Sequence, residues 1–306
     1  MAVNGLLDTA LDRTIVGGYT NVGYRLRRGG WEAELPRMDG KVVLVTGATS
    51  GIGRAAADGF ERLGARVLVL ARSTDEAAGG IRCDLSEMAS VRAAAQRVLA
   101  REERLDVLVN NAGVLPNERT LTSDGNELTF ATNVLGPFLL ARLLENLLKA
   151  SAPARVINVS SGGMYSQRLN VGDLQFAVGE FDGTKAYART KRAEVVLSEL
   201  EAEHLAGTGV VVHAMHPGWV DTPGVETSLP LFHRLMGPLL RDADAGADTV
   251  VWLGAANEPA RCSGLFWHDR KARPTHLLAR TKESAEDRER LWAECERLSA
   301  GSPAPA

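Results

Sequence analysis

The stretch Lys41 to Arg54, K-V-V-L-V-T-G-A-T-S-G-I-G-R, decides the fold, because buried strand, glycine turn and helix start follow one another without a break. Val42 to Val45 form a continuous apolar run, the pattern of a parallel strand covered on both faces. The turn opens at Gly47. Glycines at 47, 51 and 53 remove side chains where backbone must pass close to a ligand and where the next helix must pack against the strand. That helix gathers Ile52, Ala55, Ala56, Phe60 and Leu63 on one face and aims its first amides at the position of a pyrophosphate. Since G-x-x-x-G-x-G is also an ordinary tight turn, the rest of the chain has to decide between the two.

Working outward, strands are expected at 41–46, 66–71, 81–83, 106–110, 155–160, 209–215 and 264–267. Helices are expected at 51–64, 86–103, 125–149, 184–206 and 243–256. Regular alternation with short connections implies a single α/β domain, a doubly wound parallel sheet with helices on both faces, over residues 40–270. Residues 1–39 form an N-terminal extension containing Leu6, Leu7, Leu11, Ile15 and Val16, then Y-R-L-R-R-G-G-W ending at Trp31. Two readings stay open for it: an amphipathic helix and loop packed on the domain, or peripheral membrane contact through residues 1–35. Residues 271–306 form a C-terminal extension, with a docked helix over 282–299 (Leu291, Trp292, Cys295 and Leu298 at helical spacing) and a disordered tail.

With 306 residues and 45% hydrophobic content the chain can bury one sizeable core. A net charge of -3 gives no electrostatic case for nucleic acid. Cys83, Cys262 and Cys295 are odd in number and widely spaced, so neither a disulfide framework nor a metal site is expected. Asp8 and Asp12 stand where a signal peptide would be apolar, and Leu128–Leu148 is interrupted by Gly136-Pro137, Arg142, Glu145 and Asn146, so a cytoplasmic location is expected.

Polar residues at strand ends carry the chemistry. Asn110-Asn111-Ala112-Gly113 follows an apolar strand, where amide side chains can tie neighbouring strand ends and glycine lets a cofactor lie against backbone. Asn133 lies inside a helix although asparagine competes for backbone hydrogen bonds. Ser160-Ser161 end a strand at the carboxyl edge, where open α/β sheets bind ligands. In Tyr187-Ala188-Arg189-Thr190-Lys191, positions four apart share a helix face, which brings the ammonium beside the phenol. A phenol titrates near ~10, and a neighbouring cation favours phenolate; a shift of about 2 to 3 units represents roughly 3 to 4 kcal/mol. The second strand, R-V-L-V-L, ends in Ala71-Arg72-Ser73, without the acid that receives a ribose 2′-hydroxyl, and Arg72 suits a 2′-phosphate instead. Arg54 could approach that phosphate from the other side. Asp75 and Glu76 follow closely, and turned inward they would favour NAD(H).

These motifs, in this order, resemble those of the short-chain dehydrogenase/reductase family, over about residues 40–268. The segments carrying the likeness are T-G-A-T-S-G-I-G at 46–53, N-N-A-G at 110–113, Asn133, Ser161, Y-A-R-T-K at 187–191 and P-G at 217–218. The N-terminal D-R-T-I-V-G-G-Y-T-N-V-G-Y-R-L-R-R-G-G-W, H-P-G-W-V-D-T-P-G-V and F-W-H-D-R-K narrow it to one subgroup. The resemblance implies a Rossmann fold and NAD(P)-dependent oxidation or reduction at an alcohol or carbonyl carbon. It implies Tyr187 as acid/base, Lys191 as its partner and contact to the nicotinamide ribose, Ser161 to polarise the carbonyl, and Asn133 to hold a water of the proton relay. For the cofactor it implies Gly47, Thr49, Ser50, Gly51, Ile52 and Gly53 at the turn, with Asp84 and Leu85 near the adenine. Asn111, Ala112, Gly113, Pro217, Gly218, Val220 and Thr222 complete that surface, Thr222 reaching the carboxamide.

Tyr187 follows Ser161 at a longer interval than in the shortest members of the family. The intervening segment, 162–182, contributes Met164, Tyr165, Leu169, Leu174, Phe176 and Phe181; with Leu229, Leu231, Phe232, Leu235, Met236, Leu239 and Leu240 it points to a lipophilic substrate, unless these side chains simply pack on one another as a small satellite core. NADP(H) is expected over NAD(H). The competing function is a dinucleotide-binding sensor or scaffold with little turnover, which has no use for a tuned phenol. Family members often pair the helices at 125–149 and 184–206 across a two-fold axis, so two readings stay open: a homo-oligomer through that face, or terminal extensions that block it.

Overall fold

The computed structural model describes residues 8, 9, 11, 14–31, 34–77 and 79–300. Leu6, Leu7 and the tail at 301–306 lie outside them. Seven strands run parallel: β1 (Val42–Thr46), β2 (Arg66–Ala71), β3 (Ile81–Arg82), β4 (Val107–Asn110), β5 (Ala154–Val159), β6 (Val210–Met215) and β7 (Leu265–His268). β8 (Lys271–Arg273) turns back antiparallel on β7, giving the order β3-β2-β1-β4-β5-β6-β7-β8. The sheet is therefore parallel except at this edge, where K-A-R carries no apolar pattern to announce a strand. Between β1 and β4 the winding reverses, which opens a crevice at the carboxyl ends of the strands.

Among the described residues from Ile15 onward the α-helices are α1 (Ile15–Tyr19), α2 (Asn21–Arg28), α3 (Gly51–Arg62), α4 (Met88–Arg101), α5, α6 (Gly183–His204), α7 (Pro223–Ser228), α8 (Pro230–Met236), α9 (Ala243–Ala255) and α10 (Ala285–Ala300). α5 runs from Leu128–Phe130 through a π turn at Ala131–Leu135 into Gly136–Ala150. Because alternate strand residues face opposite ways, β1 serves two cores. Val43 and Val45 pack with Phe60 of α3 and Val250 and Leu253 of α9. Val42 and Leu44 pack with Val91 of α4, Leu140 and Leu144 of α5 and Val196 of α6.

The C-terminal extension lies on this second face. Leu291 and Cys295 of α10 are fully buried, and Trp292 meets Phe138 edge to face at 5.1 Å. Arg288 ion-pairs with Glu199 and Glu203, and buried Arg192 pairs with Glu283. α10 thus covers part of the α5–α6 face, and a two-fold pairing through that face would have to displace it. Leu291→Ala should cost about 2 to 5 kcal/mol, the range for a fully buried leucine truncated in a core. A midpoint in urea unchanged from wild type would show that α10 is not part of the cooperative unit.

The N-terminal extension is docked by charge. Buried Arg27 reaches Asp8 at 2.8 Å and Asp269, just past β7, at 2.7 Å. Asp269 also takes Arg241 in two contacts of 2.6 and 2.9 Å. The Tyr19 carbonyl accepts from the Trp219 amide (2.8 Å) and Arg241 Nε (3.1 Å), and the Tyr19 ring meets those of His216 and His268 edge on. On the outer side Ile15, Val16, Val22 and Leu26 are exposed. Among the described residues no helix is long and apolar enough to cross a membrane.

Candidate active site

The glycine turn is built to admit a ligand. Gly47 and Gly51 have φ of 67° and 54°, and a Cβ at Gly53 would lie 2.4 Å from both Asn111 Nδ2 and the Gly47 carbonyl oxygen. Ser50 precedes α3 without a side-chain cap, and the first turn holds no acid. The opening amides of α3 therefore have no side-chain cap from Ser50. Thr49 and Ser50 are exposed beside them.

The adjacent strand end is tied to this turn through Thr46. Its Oγ1 accepts from the amides of Asn111 (2.9 Å) and Ala112 (3.0 Å), while Asn111 Nδ2 donates to the Thr46 carbonyl at 2.9 Å. Asn110 Nδ2 donates to Asn158 Oδ1 at 2.8 Å, locking β4 to β5. Gly113 is exposed, and a Cβ there would stand 3.3 Å from Asn133 Oδ1 and 3.4 Å from Lys191 Nζ.

Asn133 sits in the π turn, a distortion often found at functional sites. Its side chain is fully used: Oδ1 accepts from Val114 N at 2.8 Å, and Nδ2 donates to the Val114 carbonyl at 3.1 Å and Thr190 Oγ1 at 3.0 Å. Thr190 in turn donates to the Tyr187 carbonyl at 2.7 Å. Asn133 therefore braces the N-N-A-G loop against α6; a water held there would have to meet its main chain.

Tyr187 and Lys191 share a face of α6, with Nζ 5.4 Å from the phenol ring centroid. Lys191 is buried and donates to the Val159 carbonyl at 3.0 Å and to Glu194 Oε1 at 2.7 Å. Burial works against its charge, but Glu194 and Tyr187 hold the ammonium above its usual range. Burial pushes the Glu194 carboxyl up to about 7, even with Lys191 beside it. The two serines part company. Ser160 is buried and donates to the Lys191 carbonyl at 2.8 Å, whereas Ser161 is half-buried, caps a 3-10 helix at Gly162–Ser166 and accepts from Gly163 N at 3.1 Å.

Thr222 caps α7 and comes over the glycine turn: a Cβ at Gly51 would be 3.4 Å from its Cγ2. Gly218 has φ 83°, and the Pro217 carbonyl is held by Arg241 at 3.1 Å. Val220 is buried against Gly246, with half-buried Ile52 on the same glycine, and the Leu85 side chain is sunk in the core. These three can offer backbone and little more. Asp84 Oδ1 accepts from the amide and hydroxyl of Ser86 at 2.9 and 2.7 Å.

A cavity of about 390 Å³ is lined by Arg72, Arg82 and Arg97 together with Asp84, Glu87, Ser90 and Ala93. Arg54 takes no part, being paired with Asp58 at 2.8 Å along α3, while Glu76 is engaged by Arg97. The insertion contributes less to a pocket than its composition implies. Met164 packs with Val195, Ala214 and Phe266, Leu169 joins the main core, and Phe176 is buried against Phe181 under the Arg189 guanidinium. By contrast Leu231 and Leu235 of α8 are exposed, and Phe232 meets Trp219 edge on at 5.0 Å.

Glu194 and Arg241 lie outside the motifs, and Thr190 and Asp269, though inside Y-A-R-T-K and F-W-H-D-R-K, are given no role by them. Glu194 had a signal, lying three positions after Lys191 on the same helix face; the pairing of Asp269 with Arg241 had none, since only the folded chain brings them together. Among the described residues no group of three or more His, Cys, Asp or Glu is placed to hold a metal.

The family model described as short chain dehydrogenase matches residues 41–230. Dehydrogenase/reductase SDR family member 12 from Bos taurus is 43% identical over 280 residues, covering 86% of this chain and 87% of the relative. Retinol dehydrogenase 12 from Mus musculus is 38% identical over 280 residues, with 86% and 87% covered. Among solved structures, the Pseudomonas aeruginosa RhlG/NADP active-site complex superposes with a TM-score of 0.61 at 28% identity, covering 75% of this chain and 94% of that one. With a matching family model over most of its sheet and relatives along most of its length, the chain belongs to the short-chain dehydrogenase/reductase family and is an NAD(P)-dependent oxidoreductase.

Proposed function

We propose that the chain uses NADP(H) and interconverts a lipophilic carbonyl compound and its alcohol, with Tyr187 as acid/base. The observation that carries this reading is the buried Lys191 ammonium, fixed between the Val159 carbonyl and Glu194 beside the Tyr187 ring and facing Gly113. Gly47, Gly51, Gly53 and the open amides of α3 would hold the pyrophosphate, and Asn111, Ala112, Gly113, Pro217, Gly218 and Thr222 the nicotinamide half. The bound nicotinamide supplies the hydride in reduction and accepts it in oxidation. In reduction the Tyr187 hydroxyl gives its proton to the carbonyl oxygen as carbon receives the hydride, and Ser161 donates a hydrogen bond to that oxygen. Asn133 keeps the floor of the site rigid. Exposed Leu231 and Leu235 on α8, beside Trp219 and Phe232, favour an apolar substrate, as does the likeness to a retinol dehydrogenase. Ile15, Val16, Val22 and Leu26 with Arg25 and Arg28 on α1 and α2 suit a cytoplasmic protein resting against an anionic lipid surface.

The arginines around the cavity support NADP(H), as does the nucleotide in the RhlG complex. A charge-assisted contact contributes about 1.5 to 3 kcal/mol, so NADPH should bind at least about tenfold more tightly than NADH. Arg72→Ala should weaken NADPH and leave NADH nearly unchanged. Equal affinities of wild type for the two nucleotides would remove the basis for the assignment.

A further inference from the structure

Glu194 lies behind Lys191 and is buried with it, while Tyr187 is half-buried. One carboxylate oxygen, Oε1, takes the Lys191 ammonium at 2.7 Å; the other, Oε2, is buried with no hydrogen-bond partner. A buried, ionised carboxylate leaves no oxygen unpartnered without a large penalty, whereas a protonated one carries far less. Lys191 has three N–H bonds to give. Two are taken by Val159 and Glu194, and both acceptors lie on the protein side of the ammonium, which leaves the third for the Gly113 side, where the cofactor would lie.

The surroundings isolate this pair. From β5 and the residue after it come only neutral groups, the Val159 carbonyl and the Ser160 hydroxyl, which donates to the Lys191 carbonyl and lies close enough to Glu194 to favour its ionised form, and the π turn faces α6 with Asn133 through Thr190. The ionisable groups acting on the two side chains are those of α6 itself: Lys191 on Glu194, and Glu194 and Tyr187 on Lys191. The neighbouring Arg192 turns the other way, to Glu283.

We propose that Glu194 is a positioning residue for the reaction: it fixes Lys191 against β5 and, by gaining or losing a proton on Oε2, sets the charge that Lys191 presents to the cofactor. This rests on the cofactor-binding reading above and adds to it a proton-dependent control that the tyrosine and lysine do not supply. With Glu194 protonated the ammonium acts as an uncompensated cation. With Glu194 ionised the pair is neutral overall, and the hydrogen bond from Lys191 to the ribose weakens from the charged toward the neutral class. The carboxyl, raised to about 7 by burial, changes state near neutral pH.

The test uses the full-length protein labelled with ¹⁵N-lysine, and Glu194→Gln, which keeps an acceptor for Lys191 but cannot ionise. Without cofactor, the Lys191 Nζ resonance of wild type should move with a midpoint near 7, and that of Glu194→Gln should not move there. Titrated with NADPH, the two proteins should have the same Kd below pH 6. At pH 8 Glu194→Gln should bind roughly three- to tenfold more tightly, the difference between a charged and a neutral hydrogen bond. A Lys191 resonance with the same pH profile in both proteins, or parallel NADPH affinities across the range, overturns the proposal. Loss of NADPH binding in both proteins while the Lys191 transition persists counts instead against the cofactor reading.

Discussion

Tyr187→Phe should lower carbonyl reduction by about 10² to 10⁴-fold, the usual contribution of a positioned general acid. NADPH affinity should stay within about twofold of wild type. The half-buried ring is retained, and with it the packing on Lys191 Nζ and the Tyr187 carbonyl that accepts from Thr190. Only the proton donor is lost. Initial rates of NADPH oxidation with a panel of carbonyls running from small polar ketones to retinaldehyde separate the outcomes. A variant keeping half the wild-type turnover would leave the hydroxyl without its role. If small polar carbonyls led the panel in kcat/KM, the lipophilic pocket would be wrong while the acid/base assignment stood.

Asp269→Asn should destabilise the fold by about 3 to 5 kcal/mol at neutral pH, because it takes from buried Arg241 its carboxylate partner and leaves buried Arg27 only Asp8. Asparagine tolerates the positive φ of 50° at this position, so the loss reports charge and not backbone strain. Burial opposes ionisation of Asp269, but His268, Arg241 and Arg27 hold its carboxyl well below the usual carboxylate range. With the folded pKa depressed, the stabilisation is fully present above the unfolded value of about 4 and is lost as pH falls below it. Urea unfolding of wild type and variant at pH 7 and pH 3 checks both points, with the difference between the proteins shrinking at the lower pH. A variant as stable as wild type at pH 7 would show that Asp269 does not anchor Arg27 and Arg241. Since Arg241 also holds the Pro217 and Tyr19 carbonyls, weakened NADPH binding should accompany the loss.

What was legible in the sequence is what repeats or crowds. β1 through β7 and helices α3 to α6 and α9 stand where apolar runs and 3.6-residue patterns put them, because each buries a face against the sheet. Gly53 was legible because the space for a side chain is occupied by Asn111 and the Gly47 carbonyl. β8 was not: three charged or small residues held only by pairing with β7 leave no pattern. The π turn at Asn133 was half visible, as a poor helix former in an apolar helix, but its brace to Val114 and Thr190 depends on loop and helix meeting in space. The apolar residues of the insertion allow either a pocket or a satellite core, since composition does not distinguish a side chain facing a ligand from one facing its neighbours. Met164 and Phe176 face their neighbours. Arg27 and Asp269 are 242 positions apart, beyond any local pattern, so the docking of the N-terminal extension beside the site appears only in the folded chain.

Hydride transfer itself is tested most directly by following the isotope. Wild-type protein incubated with NADPH deuterated at the transferable C4 position and a lipophilic aldehyde should yield an alcohol carrying one deuterium at the carbinol carbon, and Tyr187→Phe should yield almost none. A protein that binds NADPH tightly yet forms no deuterated alcohol from any member of the panel would be a nucleotide-binding sensor or scaffold, and the assignment of Tyr187 and Lys191 to catalysis would be contradicted.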